Sequence, residues 1–413
     1  MGIGIGLVSA LAVGGVIFRP FGWPEWIFAL AGAFALVATG LLAPSLALNG
    51  IFEGTDVYLF LAGMMLLAEI ARREGLFTWL AGLACRSAAG SPWRLFGLVY
   101  LVGTLVTVFL SNDATAVVLT PAVIAVARAA EAKDPIPYLL ICAFVANAAS
   151  FVLPISNPAN IVIFGDRMPP LGEWLMRFAW PSTVAIAATF TLLALAQRRR
   201  LVGTIRSDGP ALPLPSGARM AGLGLIVAIA VLMTASARDL ALGLPTALAG
   251  LATLALVSIM ERKSPLPALA GISWTTLLLV AGLFVIVEAL DQIGLERLLV
   301  SWLGDLQDSA GALAPQLVGA IVAVLTNLTN NLPLGLLAGH VVASGEASRE
   351  IIDAILIGID LGPNLSVTGS LATILWLVAL RREGLSFRAL DFLRIGALVM
   401  PPTLLLTLWA AAG

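Results

Sequence analysis

Charge is scarce in this 413-residue chain: Asp, Glu, Lys and Arg make up 11% of it, where soluble domains carry roughly 25%. Two cysteines, Cys85 and Cys142, and one histidine, His340, exclude a disulfide framework or a zinc site, so no metal is expected. The sequence holds no H-E-x-x-H and no G-x-S-x-G, and its lysines, Lys133 and Lys263, fall in loops. A hydrolase needs a nucleophile with a base, or metal ligands, so an enzyme is not expected and no cofactor is implied. The opening "MGIGIG" lacks both G-x-G-x-x-G spacing and a preceding strand, so it is no nucleotide fingerprint. A formal net charge of -1 gives no sign of a nucleic-acid partner, and the distribution of charge says more than its sum.

What is present is apolar. Hydrophobic residues reach 60% and mean hydropathy is +1.00. Runs long enough for a bilayer of roughly 30 Å recur from end to end and leave no room for a soluble domain. The reading is an all-α polytopic protein whose partner is the lipid bilayer. The first run, Gly2 to Phe18, has no basic n-region and no small-residue cleavage site, which marks a retained helix.

The chain repeats itself. "LAGMMLLAEIARREGLFTWL" (Leu61 to Leu80) aligns with "VAGLFVIVEALDQIGLERLL" (Val280 to Leu299), an offset of 280 − 61 = 219. Glu69 then meets Glu288, and Asn112 meets Asn331. A six-residue slip later pairs "ISNPANI" from Ile155 with "TGSLATI" from Thr368. Residues 1–200 and 219–413 are therefore read as two repeats, joined by a cytoplasmic linker at 201–218.

Each half is expected to hold three helices, a double-length segment with a polar centre, a helix interrupted by Pro, Gly or Asn, and a final helix. As a single helix, Leu95 to Ala127 would be about 50 Å long, far more than a membrane needs. Its flanks are both basic, and those of its counterpart are both acidic. Each segment thus enters and leaves on one face, giving re-entrant hairpins at 94–128 and 313–344. The interrupted helices fall at 138–168 and 351–380. Five crossings per half is an odd number, so the repeats are expected to be inverted relative to each other. With both termini outside, only Arg167, Arg177, Arg238, Arg297 and Arg349 of the 23 Lys and Arg residues lie outside, as the positive-inside rule requires.

Four sequences look like helix breaks at membrane depth: "LSNDAT" from Leu110, "LPISNPAN" from Leu153, "NLTNNLP" from Asn327 and "DLGPNLSVTGS" from Asp360. Such backbone is tolerated only where protein or a wet cavity satisfies its polar groups. Half-helix ends offer N–H and C=O groups there, and Ser111, Asn112, Asn157, Asn160, Asn330, Asn331, Ser370 and Thr373 add side chains that donate and accept. These eight are the expected substrate contacts. Asp113 is an acid near mid-bilayer, which costs at least roughly 2.5–3.5 kcal/mol and marks a pathway or proton relay. Asp360 either caps the half-helix after it or shares in proton coupling. Glu69 and Glu288, near helix ends, are expected to snorkel or to pair with arginines. Cys142 is read as packing, and His340 as a wetted residue.

At these breaks the chain resembles the arsenite and antimonite efflux permeases of the ion transporter superfamily. The similarity is most specific at "FLSNDATAVVLTP" from Phe109, "LTNLTNNLPLGLLAG" from Leu325 and "IGIDLGPNLSVTGSLATILW" from Ile357. It implies export of a metalloid hydroxide from the bacterial cytoplasm across the inner membrane in exchange for protons. In some members a soluble ATPase subunit is added. Tight capture of trivalent arsenic would use about three thiolates, which two cysteines cannot supply. Arsenous acid is mostly neutral near pH 7, and its three hydroxyls suit a ring of Asn, Ser, Thr and backbone groups. A core without Arg or Lys speaks against citrate or dicarboxylate carriage, although half-helix N-termini bind anions without them. A sodium/proton antiporter or small-anion carrier on the same scaffold stays open, since a hairpin-tip carboxylate would serve either. A passive channel would use the same polar centre, but interrupted helices in repeats favour alternating access.

Overall fold

A computed structural model describes residues 2–206 and 213–412, so the middle of the expected linker lies outside the described residues. The first half runs α1 (Gly2–Phe18), α2 (Glu25–Ala38), α3 (Pro44–Glu53), α4 (Thr55–Arg73), α5 (Leu76–Ser87), α6 (Pro92–Phe109), α7 (Asn112–Ala114), a π-helical turn at Thr115–Leu119, α8 (Thr120–Ala129), α9 (Ile136–Ala148), α10 (Pro158–Phe164) and α11 (Leu171–Gln197). The second runs α12 (Ser216–Ala237), α13 (Gly243–Glu261), α14 (Leu266–Ala270), α15 (Trp274–Gln292), α16 (Leu295–Ala310), α17 (Ala314–Thr329), α18 (Asn331–Ser344), α19 (Arg349–Leu361), α20 (Leu371–Arg382) and α21 (Ala389–Ala411). Among the described residues there is no strand.

Among the described residues seven helical stretches are long and apolar enough to cross a membrane, one of them the run Leu295–Thr329 that holds α16 and α17, and eight if α3 and α4, bent by 45° at Gly54, form one span. The chain is a multi-pass membrane protein. Its outward faces carry exposed Leu7, Ile226, Leu248 and Leu405, surface that only lipid or another apolar partner covers well. Helices α1, α2, α9 and α18 are apolar but shorter. The ten expected crossings include several of these, with α9–α10 and α19–α20 crossing only as pairs.

Helix bounds keep the register of the sequence repeat. α4 and α15 begin 274 − 55 = 219 residues apart and end 292 − 73 = 219 apart, while α9 and α19 begin 349 − 136 = 213 apart and end 361 − 148 = 213 apart. Packing follows the same exchange: α4 lies on α13 as α15 lies on α2, and α6 on α9 as α17 on α19. α11 and α21 pack on each other across the seam between the halves. The exchange also mixes the halves, since α10 packs on α18 and α20 packs on the π-turn and α8.

Two helices depart from the expected three before each hairpin. Gly75 and Gly294, both left-handed at φ 82° and 80°, stop one helix and start α5 and α16. In α16 the residues Leu295, Leu298, Leu299, Trp302, Leu303 and Leu306 recur at helical spacing, with Glu296, Arg297, Asp305 and Asp308 opposite. That pattern suits a helix lying along a membrane surface rather than through it.

The close crossings depend on glycine at two equivalent positions. A Cβ on Gly63 would stand 2.5 Å from the Thr246 carbonyl group, and one on Gly282 2.8 Å from the Ala29 carbonyl carbon. Backbone atoms there have little room to move aside. Gly63→Leu and Gly282→Leu are expected to destabilise the protein by about 1–3 kcal/mol each, read as a lowered thermal midpoint in detergent; unchanged midpoints would contradict the close crossing.

Candidate functional site

The first hairpin turns at Leu110–Ser111. The Thr107 and Thr115 hydroxyls, one on each side of this break, lie 2.8 Å apart. Ser111 caps the returning arm, its Oγ accepting from the Ala114 N–H at 3.2 Å. The π-turn that follows widens the helix, a feature frequent at functional sites. At the second tip Asn330 holds φ 75° and its Oδ1 accepts from the Leu332 N–H at 3.4 Å. Asn and Asp are the non-glycine residues that bear such a backbone most readily. The caps themselves sit 330 − 111 = 219 residues apart.

The interrupted helices are built the same way. α9 ends at Ala148, and α10 restarts at Pro158, whose missing N–H costs nothing at the first helical position. Asn157 caps α10 by accepting from the Ala159 N–H at 3.0 Å. Its equivalent Ser370 caps α20 by accepting from the Thr373 N–H at 3.2 Å. Each cap then reaches across to the other half. The Asn157 amide donates to Asp360 Oδ1 at 2.7 Å, and the Ser370 hydroxyl faces Asn147 Oδ1 at 3.4 Å. Asn147 and Asp360 end α9 and α19 at equivalent places, 360 − 147 = 213, so one bond pattern is made with an amide in one half and a carboxylate in the other. All four are buried.

Other breaks are closed by side chains standing in for helix bonds. Asn160 donates to the carbonyls of Ser150, Leu153 and Pro154 at 2.9, 3.4 and 3.4 Å. Asn327 donates to Ala323 and Gly362 at 2.7 and 2.9 Å, and accepts from the Ser366 hydroxyl at 2.6 Å. Asn364 donates to the Phe144 carbonyl and accepts from the Asn147 amide, both at 3.0 Å. Asn147, Asn327 and Asn364 were not among the expected contacts. Asn327 stood inside a quoted break, and Asn147 was recoverable as the 213-residue equivalent of Asp360.

A cavity of about 90 Å³ opens between the halves. Ser111 and Asp113 come from the first hairpin, Pro158 and Leu371 from the first turns of α10 and α20, Met64 and Glu69 from α4, and Ser273 and Thr276 from the start of α15. It thus collects one hairpin tip and the N-termini of both half-helices, where N–H groups and the helix dipoles favour acceptor or anionic groups. Among the described residues no Arg or Lys lines it. Glu69 is taken up by arginines, as expected: Arg72 grips it at 2.6 Å through both Nε and Nη2, and Arg73 approaches at 3.4 Å. That it also borders the cavity was not foreseen.

Of the expected substrate contacts Ser111 faces this cavity, and so does Asp113, expected to couple protons. Asn330 borders a smaller space of about 20 Å³ with Pro333 and Thr368. Asn112 is buried and accepts from the Asp113 N–H at 2.8 Å. Asn157, Asn160, Ser370 and Thr373 lie in the breaks behind the half-helix starts. Asn331 is buried beside the second tip, and Oδ1 of Asn331 and of Asn160 has no protein hydrogen-bond partner.

Comparison with known proteins sets this geometry in context. The sequence model described as citrate transporter matches residues 13–358. The chain is 27% identical to the arsenical pump membrane protein of Escherichia coli, over 98% of this chain and 97% of that protein. It is 28% identical to that of Yersinia enterocolitica, over 94% and 92%. The crystal structure of the Alcanivorax borkumensis YdaH transporter, described as having an unusual topology, superposes with a TM-score of 0.54 at 17% identity, over 89% of this chain and 85% of that one. At that identity the likeness bears on fold alone.

The inter-half amide pair yields a stability test. Asn364→Ala leaves the Asn147 amide and the Phe144 carbonyl short of a partner in a buried setting, a loss of about 1–3 kcal/mol. A clear drop in the thermal midpoint is expected, and little further drop on adding Asn147→Ala. Unchanged stability in the single variant would contradict the pairing.

Proposed function

The chain belongs to the citrate transporter family, and we propose that within this family it exports trivalent arsenic and antimony hydroxides in exchange for protons. Its relatives are membrane transporters, and a small molecule moved across a bilayer is the business of the fold. The observation that carries the narrower reading is the cavity: about 90 Å³, with the carboxylates of Asp113 and Glu69 on its wall and no Arg or Lys. Pockets for drug-sized ligands run to roughly 300–1,000 Å³. Citrate, a larger polyanion, would meet the Asp113 carboxylate there, and the arginines beside the wall, Arg72 and Arg73, are already engaged by Glu69. A neutral trihydroxide of a few heavy atoms meets hydroxyls, half-helix N–H groups and one carboxylate acceptor instead. The two arsenical pump membrane proteins matched over nearly their whole length support the same choice of solute.

In this reading the two halves are inverted repeats with five crossings each, residues 1–200 and 219–413, both termini on the periplasmic side of a bacterial inner membrane. The cavity mouth, at Glu69, Gly271 and Ser273, then faces the cytoplasm beside Arg72, Arg73 and Lys263. Substrate enters there and is held by Ser111 with the half-helix starts that Asn157 and Ser370 cap. Asn112, Asn160, Asn330, Asn331 and Thr373 shape that seat from both halves, and the partnerless Oδ1 atoms of Asn160 and Asn331 are acceptors suited to a hydroxide. Asp113 gives up its proton to the cytoplasm and takes one from the periplasmic side. Asp360, held by Asn157, makes the equivalent of that crossing bond dependent on charge in one half only, so its protonation alters how the two breaks hold together.

Arsenite accumulation by everted membrane vesicles tests the reading. Uphill uptake that collapses with an uncoupler is expected; equilibration indifferent to the uncoupler, or uptake that needs sodium alone, would contradict it. Asp113→Asn keeps most of the size and hydrogen bonding but not the titration, and is expected to abolish uphill uptake. If the variant still accumulates arsenite at the wild-type rate with uncoupler sensitivity, Asp113 does not carry the coupling proton.

A further inference from the structure

We propose that Asp291, Glu296 and His340 form a binding site for one divalent transition-metal ion, with Zn²⁺ as its type, where the outgoing arm of the second hairpin meets the α15–α16 turn. Asp291 closes α15, Glu296 lies in the first turn of α16, and His340 stands on α18, which packs on both. One ligand atom from each lies within 4.8 Å of the others. In a tetrahedral site with bonds of about 2.1 Å, ligand atoms are about 3.4 Å apart, so side-chain rotations on the order of 1 Å close the set. An imidazole with two carboxylates is a donor set that borderline metals such as Zn²⁺ take, leaving one position for water.

Asp291 and Glu296 stand close enough for a side-chain hydrogen bond between them, with His340 beside the pair. Among the described residues none of the three takes part in an ion pair, although twelve are formed elsewhere. Two carboxylates brought together without a cation repel, and Glu288, one turn before Asp291, adds to the negative field. Arg297 follows Glu296 in the chain and eases that field without forming an ion pair with either acid. The repeat supplies an internal control. At the 219-residue equivalents of Asp291, Glu296 and His340 stand Arg72, Phe77 and Pro121, so folding this corner does not require metal-ligating residues. Counting Cys and His alone hid the site, because carboxylates provide two of its three ligands.

The ion is distinct from the transported solute, a neutral hydroxide, and the site lies outside the cavity of Ser111 and Asp113. Bound there, it would fasten α18 to the α15–α16 turn and restrain the second hairpin.

The test uses full-length protein purified without a polyhistidine tag, since His340 is the sole histidine. Calorimetric titration with ZnCl₂ in detergent is expected to show one site per chain. His340→Ala, and separately Asp291→Asn with Glu296→Gln, should weaken binding by at least about 10-fold. Co²⁺ in place of Zn²⁺ should give the intense visible bands of a four-coordinate site in the wild type and not in His340→Ala. Should His340→Ala fail to fold, modification of His340 by diethylpyrocarbonate in the wild type must be slowed by Zn²⁺. Binding of equal affinity in the variants, no binding by the wild type, or modification indifferent to Zn²⁺ would overturn the proposal.

Discussion

Backbone polarity inside an apolar solvent is the constraint on which the rest of this structure depends. A helix that stops at membrane depth strands N–H and C=O groups, each costing several kcal/mol if left bare. The chain stops four times, and at every stop short polar side chains take over. Ser111, Asn157, Asn330 and Ser370 each receive a backbone N–H at the start of the next helix. Asn160 and Asn327 satisfy carbonyls on the other side. With side chains closing the breaks, the half-helix starts at Pro158 and Leu371 border one small cavity.

The breaks also fasten the halves together. Asn157 to Asp360 and Ser370 to Asn147 are the same crossing bond made twice, and Asn364 adds a third tie to α9. The two crossing bonds differ in one respect: only Asp360 can carry charge. The hairpin tips differ similarly, since Leu332 stands at the 219-residue equivalent of Asp113. The scaffold is thus nearly symmetric in its breaks and asymmetric in its acids.

Much of this was legible in the sequence because the determinants are local and periodic. The offset of 219 residues and its later slip were present in "LAGMMLLAEIARREGLFTWL" and "ISNPANI" with their partners, and helix bounds keep both. Prolines and asparagines announced the breaks because they change what the backbone can bond. The separate helices α5 and α16 were missed, since Gly75 and Gly294 sit inside aligned stretches that read as continuous. The partners of Asp360 and the distant partners of Asn327 were beyond reach for a different reason: a side chain's hydrogen bonds over tens or hundreds of residues depend on packing, not on spacing. For the same reason Glu69 was assigned its arginines correctly while its place on the cavity wall stayed hidden, and Asp291, Glu296 and His340 looked unrelated until α18 was laid against the α15–α16 turn.

The central claim is that a metalloid hydroxide sits between the halves, against the first hairpin tip and the two half-helix starts. Antimony scatters strongly enough to be located directly in the protein soaked with antimonite. Density bounded by Ser111, Asp113, Pro158 and Leu371 is the expected result. Density elsewhere, with that cavity empty at saturating antimonite, would contradict the account.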